Sequence, residues 1–201
     1  MKKIILLAVT ITLSSFAIGQ NKKEDYKINN ETSTIEWTGK KVTGQHTGNI
    51  SLLESALEVK DGAIEGGKIT FDMTSITCTD MKGEMSDKLI GHLKSDDFFS
   101  VEKFNTATYK IKSVKPIKGA KDGQASHTIT GDLTIKGITN EVSFPAIISK
   151  KENNIVAIGE AVVDRSKYDV RYGSPSFFEN IGDKAIYDDF IIKFKLAASN
   201  K

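Results

Sequence analysis

Apolar and polar side chains alternate with a period of two along most of the chain, and this pattern constrains the fold more than any other feature. A strand with this alternation has one apolar face, which covers a core, and one polar face, which meets water. The alternation recurs at 35–37, 53–59, 69–73, 109–112, 129–135, 142–148 and 190–196. Turn pairs such as Asp61-Gly62 and Asp122-Gly123 separate the segments. Neighbouring strands are therefore predicted to pair antiparallel.

Eight or nine strands, beginning near Tyr26, and a single helix account for the pattern. Met85, Leu89 and Leu93 recur at helical spacing and predict an α-helix over about 84–94, for which Asp80 and Ser86 are candidate caps. Many antiparallel strands with few helices indicate an all-β sandwich or a closed barrel. The segment 155–163 is apolar on both parities, so its faces stay unassigned. Residues 20–201 have a length suited to one domain.

The first nineteen residues have the pattern of a secretory signal peptide. Met1-Lys2-Lys3 is basic, residues 4–16 are mostly apolar, and small residues follow at Ala17 and Gly19. We expect cleavage after Ala17 or Gly19 and a periplasmic or secreted mature protein. No other long apolar stretch follows, so we expect no stable membrane insertion after cleavage.

The charge of the mature chain excludes partners that are strongly charged. The full sequence has 28 basic and 26 acidic residues, and removal of Lys2 and Lys3 leaves 26 of each. A net charge of zero does not favour nucleic acid or an anionic membrane surface. The single cysteine, Cys78, excludes an intramolecular disulfide.

Motifs for catalysis or metal binding are missing from the sequence. His46, His92 and His127 do not have the spacing of a zinc site. Neither a phosphate-binding glycine loop nor a Gly-x-Ser-x-Gly nucleophile motif is present. We predict no catalytic residue, no metal and no cofactor.

Six aromatic side chains share the predicted inner face of the strands. They are Trp37, Phe71, Tyr109, Phe144, Phe190 and Phe194. An eight-stranded barrel has an interior that side chains can fill or that holds one slim ligand. Periodicity does not decide between these two possibilities.

Three segments resemble the YceI-like family of secreted polyisoprenoid-binding proteins. They are residues 92–104 (HLKSDDFFSVEKF), residues 131–142 (GDLTIKGITNEV) and residues 164–170 (DRSKYDV) with Gly173 shortly after. The resemblance covers about residues 25–198. Asn105 and Tyr109 depart from the family, which often has proline and phenylalanine at these positions.

The resemblance implies an eight-stranded, lipocalin-like barrel that holds a hydrophobic small molecule and has no established catalytic residues. That ligand is a polyisoprenoid, such as a polyprenyl quinone, or another lipid such as a fatty acid. The residues expected to bind it are Trp37, Phe71, Met73, Leu89, Phe98, Phe99, Tyr109, Leu133, Phe144, Tyr168, Phe178, Phe190 and Phe194. A homodimer is left open.

Several motif residues also have expected structural or orienting roles. Asp96 is expected to cap the turn that presents Phe98 and Phe99, and Arg165 is expected to pair with an acid such as Asp169. Gly131 and Gly137 suit a bend and a hairpin turn. Polar groups near the mouth that could orient a head group are Tyr109, Tyr168, Arg171 and Tyr172.

Two other functions remain as alternatives. A lipid-modifying enzyme would need a titratable group inside the lumen, where the inner parity offers only Tyr109 and Glu160. A barrel filled by its own side chains would act as a structural or interaction module with an exposed apolar patch.

Overall fold

Residues 23–200 are the part of the chain that the computed structural model describes, and they form eleven strands and one α-helix. The strands are β1 (Lys23–Ile28), β2 (Thr34–Lys41), β3 (Gly44–Asn49), β4 (Ser51–Leu52), β5 (Ala56–Lys60), β6 (Ala63–Asp72), β7 (Thr106–Pro116), β8 (His127–Ile135), β9 (Ile138–Lys151), β10 (Asn154–Asp164) and β11 (Ile186–Ser199). Within these residues, no helix combines the length and apolar character that a bilayer crossing needs. The predicted signal peptide, residues 1–19, lies outside the described residues.

Eight of the strands close into an antiparallel ring, which confirms the predicted barrel. They hydrogen-bond in the order β1-β5-β6-β7-β8-β9-β10-β11. The ring closes where Lys27 and Ile28 of β1 pair with Ser199 and Ala198 of β11. Alternation places the apolar faces inward. In β8, for example, Ile129, Leu133 and Ile135 are all buried.

The other three strands extend the wall at one end of the ring. β2 pairs with β11, β3 returns beside β2, and the short β4 pairs with β6. The predicted strand over 53–59 is therefore wrong in its first half. Leu53 is exposed, and the Ser55 hydroxyl donates to the Leu53 carbonyl and accepts from the Thr70 amide, so the strand is interrupted between β4 and β5, which each pair with β6.

Helix α1 and three 3₁₀ turns lie at one end of the barrel, which we call the helix end. α1 spans Glu84–Lys94, as predicted, and the turns are Met73–Ser75, Arg165–Tyr168 and Gly182–Lys184. The turns follow β6 and β10 or precede β11, so antiparallel pairing gathers them at the same rim.

The opposite end consists of hairpins and tightly packed side chains, and we call it the packed end. Tyr26, Val59 and Ile155 are only 1%, 1% and 2% exposed there. The Lys150 ammonium donates to the Gly62 carbonyl at 3.4 Å and lies 5.6 Å from the centre of the Tyr26 ring. These contacts join the β5–β6 hairpin to β9.

The predicted caps of α1 are wrong, because neither Asp80 nor Ser86 is the N-cap residue. Gly83 is the N-cap and makes no side-chain hydrogen bond, and Ser86 is buried within the helix. The Asp80 carboxylate instead accepts from the Thr47 amide and from His46 Nδ1, each at 2.9 Å. Asp80 therefore fastens the loop before α1 to β3.

Burial settles the orientation of β10, which the apolar pattern left open. Ile155, Ala157 and Val163 are buried in the core, whereas Ile158 and Val162 are exposed on the outer wall. Glu160 shares the outer parity and is exposed, so its predicted placement inside the lumen is wrong.

Candidate functional site

The barrel lumen contains two adjoining cavities with apolar walls. The larger cavity, about 240 Å³, lies at the helix end, and the smaller, about 90 Å³, lies deeper in the barrel. Ile35, Phe71, Leu133, Val163 and Ile192 line both cavities. We call these five side chains, which lie where the two cavities adjoin, the shared partition.

Eleven of the thirteen residues predicted to bind ligand line one or both cavities. The larger cavity is lined by Trp37, Phe71, Met73, Leu89, Phe98, Phe99, Leu133 and Phe190. The smaller is lined by Phe71, Tyr109, Leu133, Phe144 and Phe194. The ring centre of Phe144 lies 5.4 Å from the ring centres of both Tyr109 and Phe194. Tyr109, Phe144 and Phe194 thus gather at the smaller cavity, and ligand contact by all of these residues stays a prediction.

Tyr168 and Phe178 line neither cavity. Tyr168 ends a 3₁₀ turn outside the strands and is 1% exposed, and burial raises the pKa of its hydroxyl to about 12. Phe178 lies in the loop before β11 and is 49% exposed. Strand parity does not extend into turns and loops, so the sequence offers no signal for where these two rings point.

Several cavity residues were not among those predicted. Ile35 and Ile192 occupy the inner parity of β2 and β11, so the alternation itself could have identified them. Ile76, Leu93 and Ile186 come from a turn, the helix and a strand end, where no period-two signal marks them. Together they give the larger cavity its aliphatic lining.

Arg165 is a fully buried cation at the wall of the larger cavity, with a side chain only 2% exposed. Its guanidinium donates four hydrogen bonds of 2.9–3.2 Å to backbone carbonyls, and Asp188 Oδ1 lies 3.4 Å from Nη2. The carbonyls belong to Val170, Tyr172, Ile186 and Tyr187. Burial lowers the pKa of the guanidinium, and the Asp188 charge opposes that effect.

Arg165 pairs with an acid as expected, but that acid is Asp188 and not Asp169, whose carboxylate binds Arg171. Asp169 stands in the left-handed conformation (φ 56°) at the end of the 3₁₀ turn, and this turns its side chain toward Arg171. Arg165 therefore acts as a clamp on the backbone around residues 170–172 and 186–187, with four of its five N–H groups donating to carbonyls and its charge facing Asp188.

The expected capping role of Asp96 is also wrong. The backbone carbonyl of Ser95 accepts from the amides of Phe98 and Ser100. The Asp96 carboxylate pairs with the Lys103 ammonium at 2.9 Å, and the hydrogen bond from Lys103 lowers the pKa of Asp96. The turn that presents Phe98 to the cavity is thus closed by backbone hydrogen bonds.

Two of the four polar groups expected near the mouth, Tyr109 and Arg171, already have partners within the protein. The Tyr109 hydroxyl donates to the Val142 carbonyl at 2.9 Å, and burial raises its pKa. The Arg171 guanidinium pairs with Asp169 and lies over the Phe177 ring. Trp37 Nε1 donates to the Thr77 carbonyl at 3.1 Å. The lining thus meets a ligand almost entirely with apolar surface.

Chemically reactive clusters are sparse in residues 23–200. No group of three or more His, Cys, Asp or Glu side chains there could hold a metal ion. Cys78 Sγ donates to Asp80 Oδ1 at 3.2 Å, and Asp80 Oδ2 contacts His46. Burial acts to raise the pKa of Asp80, but hydrogen bonds from Thr47, His46 and Cys78 outweigh it and lower the pKa to about 2.

Comparison with known sequences gives a match to the YceI-like domain over residues 26–198. The UPF0312 protein SAB2563 of Staphylococcus aureus (strain bovine RF122 / ET3-1) is 30% identical over 135 residues, which cover 61% of this chain and 72% of that protein. The UPF0312 protein SA2479 of Staphylococcus aureus (strain N315) is 35% identical over 98 residues, 47% of this chain and 52% of that protein.

Solved structures share the barrel at low sequence identity. Burkholderia cenocepacia BcnA superposes with a TM-score of 0.64 at 19% identity, covering 86% of this chain and 99% of that one. A domain from Saccharophagus degradans, described as a polyisoprenoid binding domain implicated in plant cell wall breakdown, gives 0.63 at 13% identity, covering 88% and 98%. At these identities the likeness establishes the fold.

Proposed function

Because this chain belongs to the YceI-like family, we propose that it binds a long hydrophobic chain in its barrel lumen and stores or transfers that molecule outside the cytoplasm. The ligand is a polyisoprenoid, such as a polyprenyl quinone, or another lipid of similar shape. The observation that carries the proposal is the apolar cavity of about 240 Å³ at the helix end. The polyisoprenoid-binding description of the Saccharophagus degradans domain supports it.

The apolar lining is sufficient for affinity without a charged anchor. Each buried methylene contributes roughly 0.8 kcal/mol. A chain of some dozens of carbons would give a gross gain beyond the roughly −20 kcal/mol at which noncovalent affinities level off. Ordering a flexible chain, and leaving part of it in water, offsets the excess.

The shared partition indicates the path of the ligand through the barrel. Phe71 and Leu133 line both cavities, so rotation of these side chains would connect the helix end with the space beside Phe144. We propose that the chain enters at the helix end and extends toward Phe144, with the packed end closing the far side.

Extraction of the purified protein tests the proposal directly. Folded protein, washed by gel filtration, should release a nonpolar molecule into organic solvent, and mass spectrometry should detect it. Protein unfolded and washed in denaturant before extraction is the control and should release none. A second readout is the fluorescence of Trp37, the single tryptophan of the chain, which lines the larger cavity. Empty protein whose Trp37 emission is unchanged by added polyprenyl quinone would contradict the proposal.

The two alternative functions have weaker support. For an enzyme, Glu160 is exposed and the Tyr109 hydroxyl is already bonded to the Val142 carbonyl. For a barrel filled by its own side chains, the two cavities are the opposing observation. We therefore assign no catalytic residue in the proposal.

Export and assembly remain predictions with separate tests. If the signal peptide is cleaved, the protein from the non-cytoplasmic fraction should have the intact mass of a chain that begins at Ile18 or Gln20. A homodimer predicts twice the monomer mass by light scattering coupled to gel filtration.

A further inference from the structure

One polar atom in the wall of the larger cavity has no partner. Among residues 23–200, the buried side-chain atoms without a hydrogen bond are His92 Nε2, the Tyr168 hydroxyl and Asp188 Oδ1. Of these three residues only His92 lines the larger cavity. A buried polar atom without a partner is costly, so its presence in a binding cavity indicates that something else completes it.

The imidazole of His92 is held in place by its neighbours. Its ring centre lies 4.3 Å from that of Tyr172 and 5.6 Å from that of Phe98, in edge-to-face geometry with both. Leu89 and Leu93, three positions before and one after on α1, line the same cavity. The ring is therefore positioned by packing before a ligand arrives.

The other buried polar side chains of this wall already have partners. The Arg165 guanidinium donates four hydrogen bonds to carbonyls and forms an ion pair with Asp188, and Trp37 Nε1 donates to the Thr77 carbonyl. His46 Nδ1 contacts Asp80. His92 Nε2 is thus the buried wall group with free hydrogen-bonding capacity.

We propose that His92 Nε2 hydrogen-bonds the terminal oxygen of an uncharged head group, an alcohol or a carbonyl, on the chain that the lumen holds. This rests on the proposed function and adds the class and orientation of the ligand: head at His92, tail toward Phe144. A neutral imidazole donates to a carbonyl or hydroxyl as one tautomer and accepts from a hydroxyl as the other. A phosphate head would be a buried anion, whereas the buried cation of this wall, Arg165, already donates four hydrogen bonds to carbonyls and faces Asp188, and the lysines of the wall, Lys40 and Lys41, are exposed.

The test compares three C20 ligands with nearly the same tail: phytol, its hydrocarbon phytane, and phytyl phosphate. Each is incubated with the full-length mature protein over a concentration series, and the bound fraction is extracted after gel filtration and quantified by mass spectrometry. The variants are His92→Phe, which keeps an aromatic ring but removes both nitrogens, and His92→Gln, which keeps a hydrogen-bonding group. Phe144→Trp is the matched control, because it reduces space for the tail and not for the head.

Wild-type protein should prefer phytol over phytane by about five- to tenfold, the size expected of one buried hydrogen bond. His92→Phe should abolish that preference by weakening phytol alone, and His92→Gln should restore part of it. Phe144→Trp should weaken all ligands by the same factor. Far-UV circular dichroism checks that the variants are folded.

Two results would overturn the inference and separate it from the proposed function. Equal binding of phytol and phytane, or tightest binding of phytyl phosphate unchanged by His92→Phe, would refute the head-group site while the lumen remained a binding site. Failure of the wild type to retain any of the three ligands would refute the proposed function itself, and the inference with it.

Discussion

The packed end and the helix end belong to the same ring of strands, but different interactions stabilise them. At the packed end Tyr26, Val59 and Ile155 are at most 2% exposed, and none of the three lines either cavity. At the helix end, hydrogen bonds from Arg165 and Trp37 to backbone carbonyls hold the turns. Because hydrogen bonds to the backbone hold the helix end in place, side chains do not have to fill its interior. This end can therefore keep an apolar cavity.

Of the substitutions considered, removal of the Arg165 guanidinium should destabilise the helix end most. Arg165→Met removes the donor to four backbone carbonyls and leaves Asp188, whose side chain is only 14% exposed, without its cation. We expect the free energy of unfolding in urea to fall by about 3–5 kcal/mol. Arg171→Met is the control, since its pair with Asp169 is exposed and should be worth at most about 1 kcal/mol. Equal effects of the two substitutions would show that the helix end does not depend on the clamp.

Replacing one apolar side chain by alanine at each end of the barrel should separate the effect on stability from the effect on ligand binding. Ile155→Ala at the packed end should lower the free energy of unfolding by about 2–5 kcal/mol and leave ligand retention unchanged. Leu89→Ala at the helix end removes a half-buried side chain beside existing open space, so the loss should be about 1 kcal/mol. Ligand retention should fall only in the second variant. Urea denaturation and extraction with mass spectrometry measure the two quantities, and the reverse pattern would contradict the comparison.

At the helix end, strand β3 approaches the loop at Thr77 closely at Gly48, and Gly48→Ala tests the importance of this approach. A Cβ at Gly48 would lie 1.7 Å from the Thr77 carbonyl oxygen and 2.6 Å from Trp37 Nε1. Strand β3 must therefore move away, which should cost about 1–3 kcal/mol and shift the Trp37 emission. Gly91→Ala is the control, because nothing lies within 4 Å of its Cβ position on α1. Alanine there should stabilise the protein by about 0.5–1 kcal/mol.

Much of the barrel could be predicted from the sequence because its strands obey one local rule. Wherever one face meets the lumen and the other meets water, as for Tyr109 and Phe194, parity identifies the inward side chains. The rule fails for β10, because its outer face also carries Ile158 and Val162. It fails again at Leu53, where the chain leaves the ladder of hydrogen bonds.

The helix end was predicted less well because its contacts join residues far apart in the chain. Arg165 reaches carbonyls up to 22 positions away, and Trp37 reaches Thr77 across 40. Local pattern contains no information about such pairs, so it does not identify Asp188 as the partner of Arg165, and it does not show that Phe178 lines neither cavity. His92 was recognised as lacking metal spacing, but only its position beside Tyr172 and Phe98 shows what the imidazole faces.

The smallest expected effect is a loss of stability in acid that originates at the helix end. The pKa of Asp80, at the helix end, is lowered from 3.8 to about 2 in the folded protein. A lowered pKa gives stability that is complete above about pH 4 and is lost as the pH falls through about 2. Because the carboxylate is partly exposed, we expect at most about 1 kcal/mol after screening. Asp80→Asn should therefore lower the free energy of unfolding at pH 5 but match the wild type near pH 1.5, as followed by Trp37 fluorescence in urea. A deficit that persists at pH 1.5 would mean that Asp80 acts through packing and not through its charge.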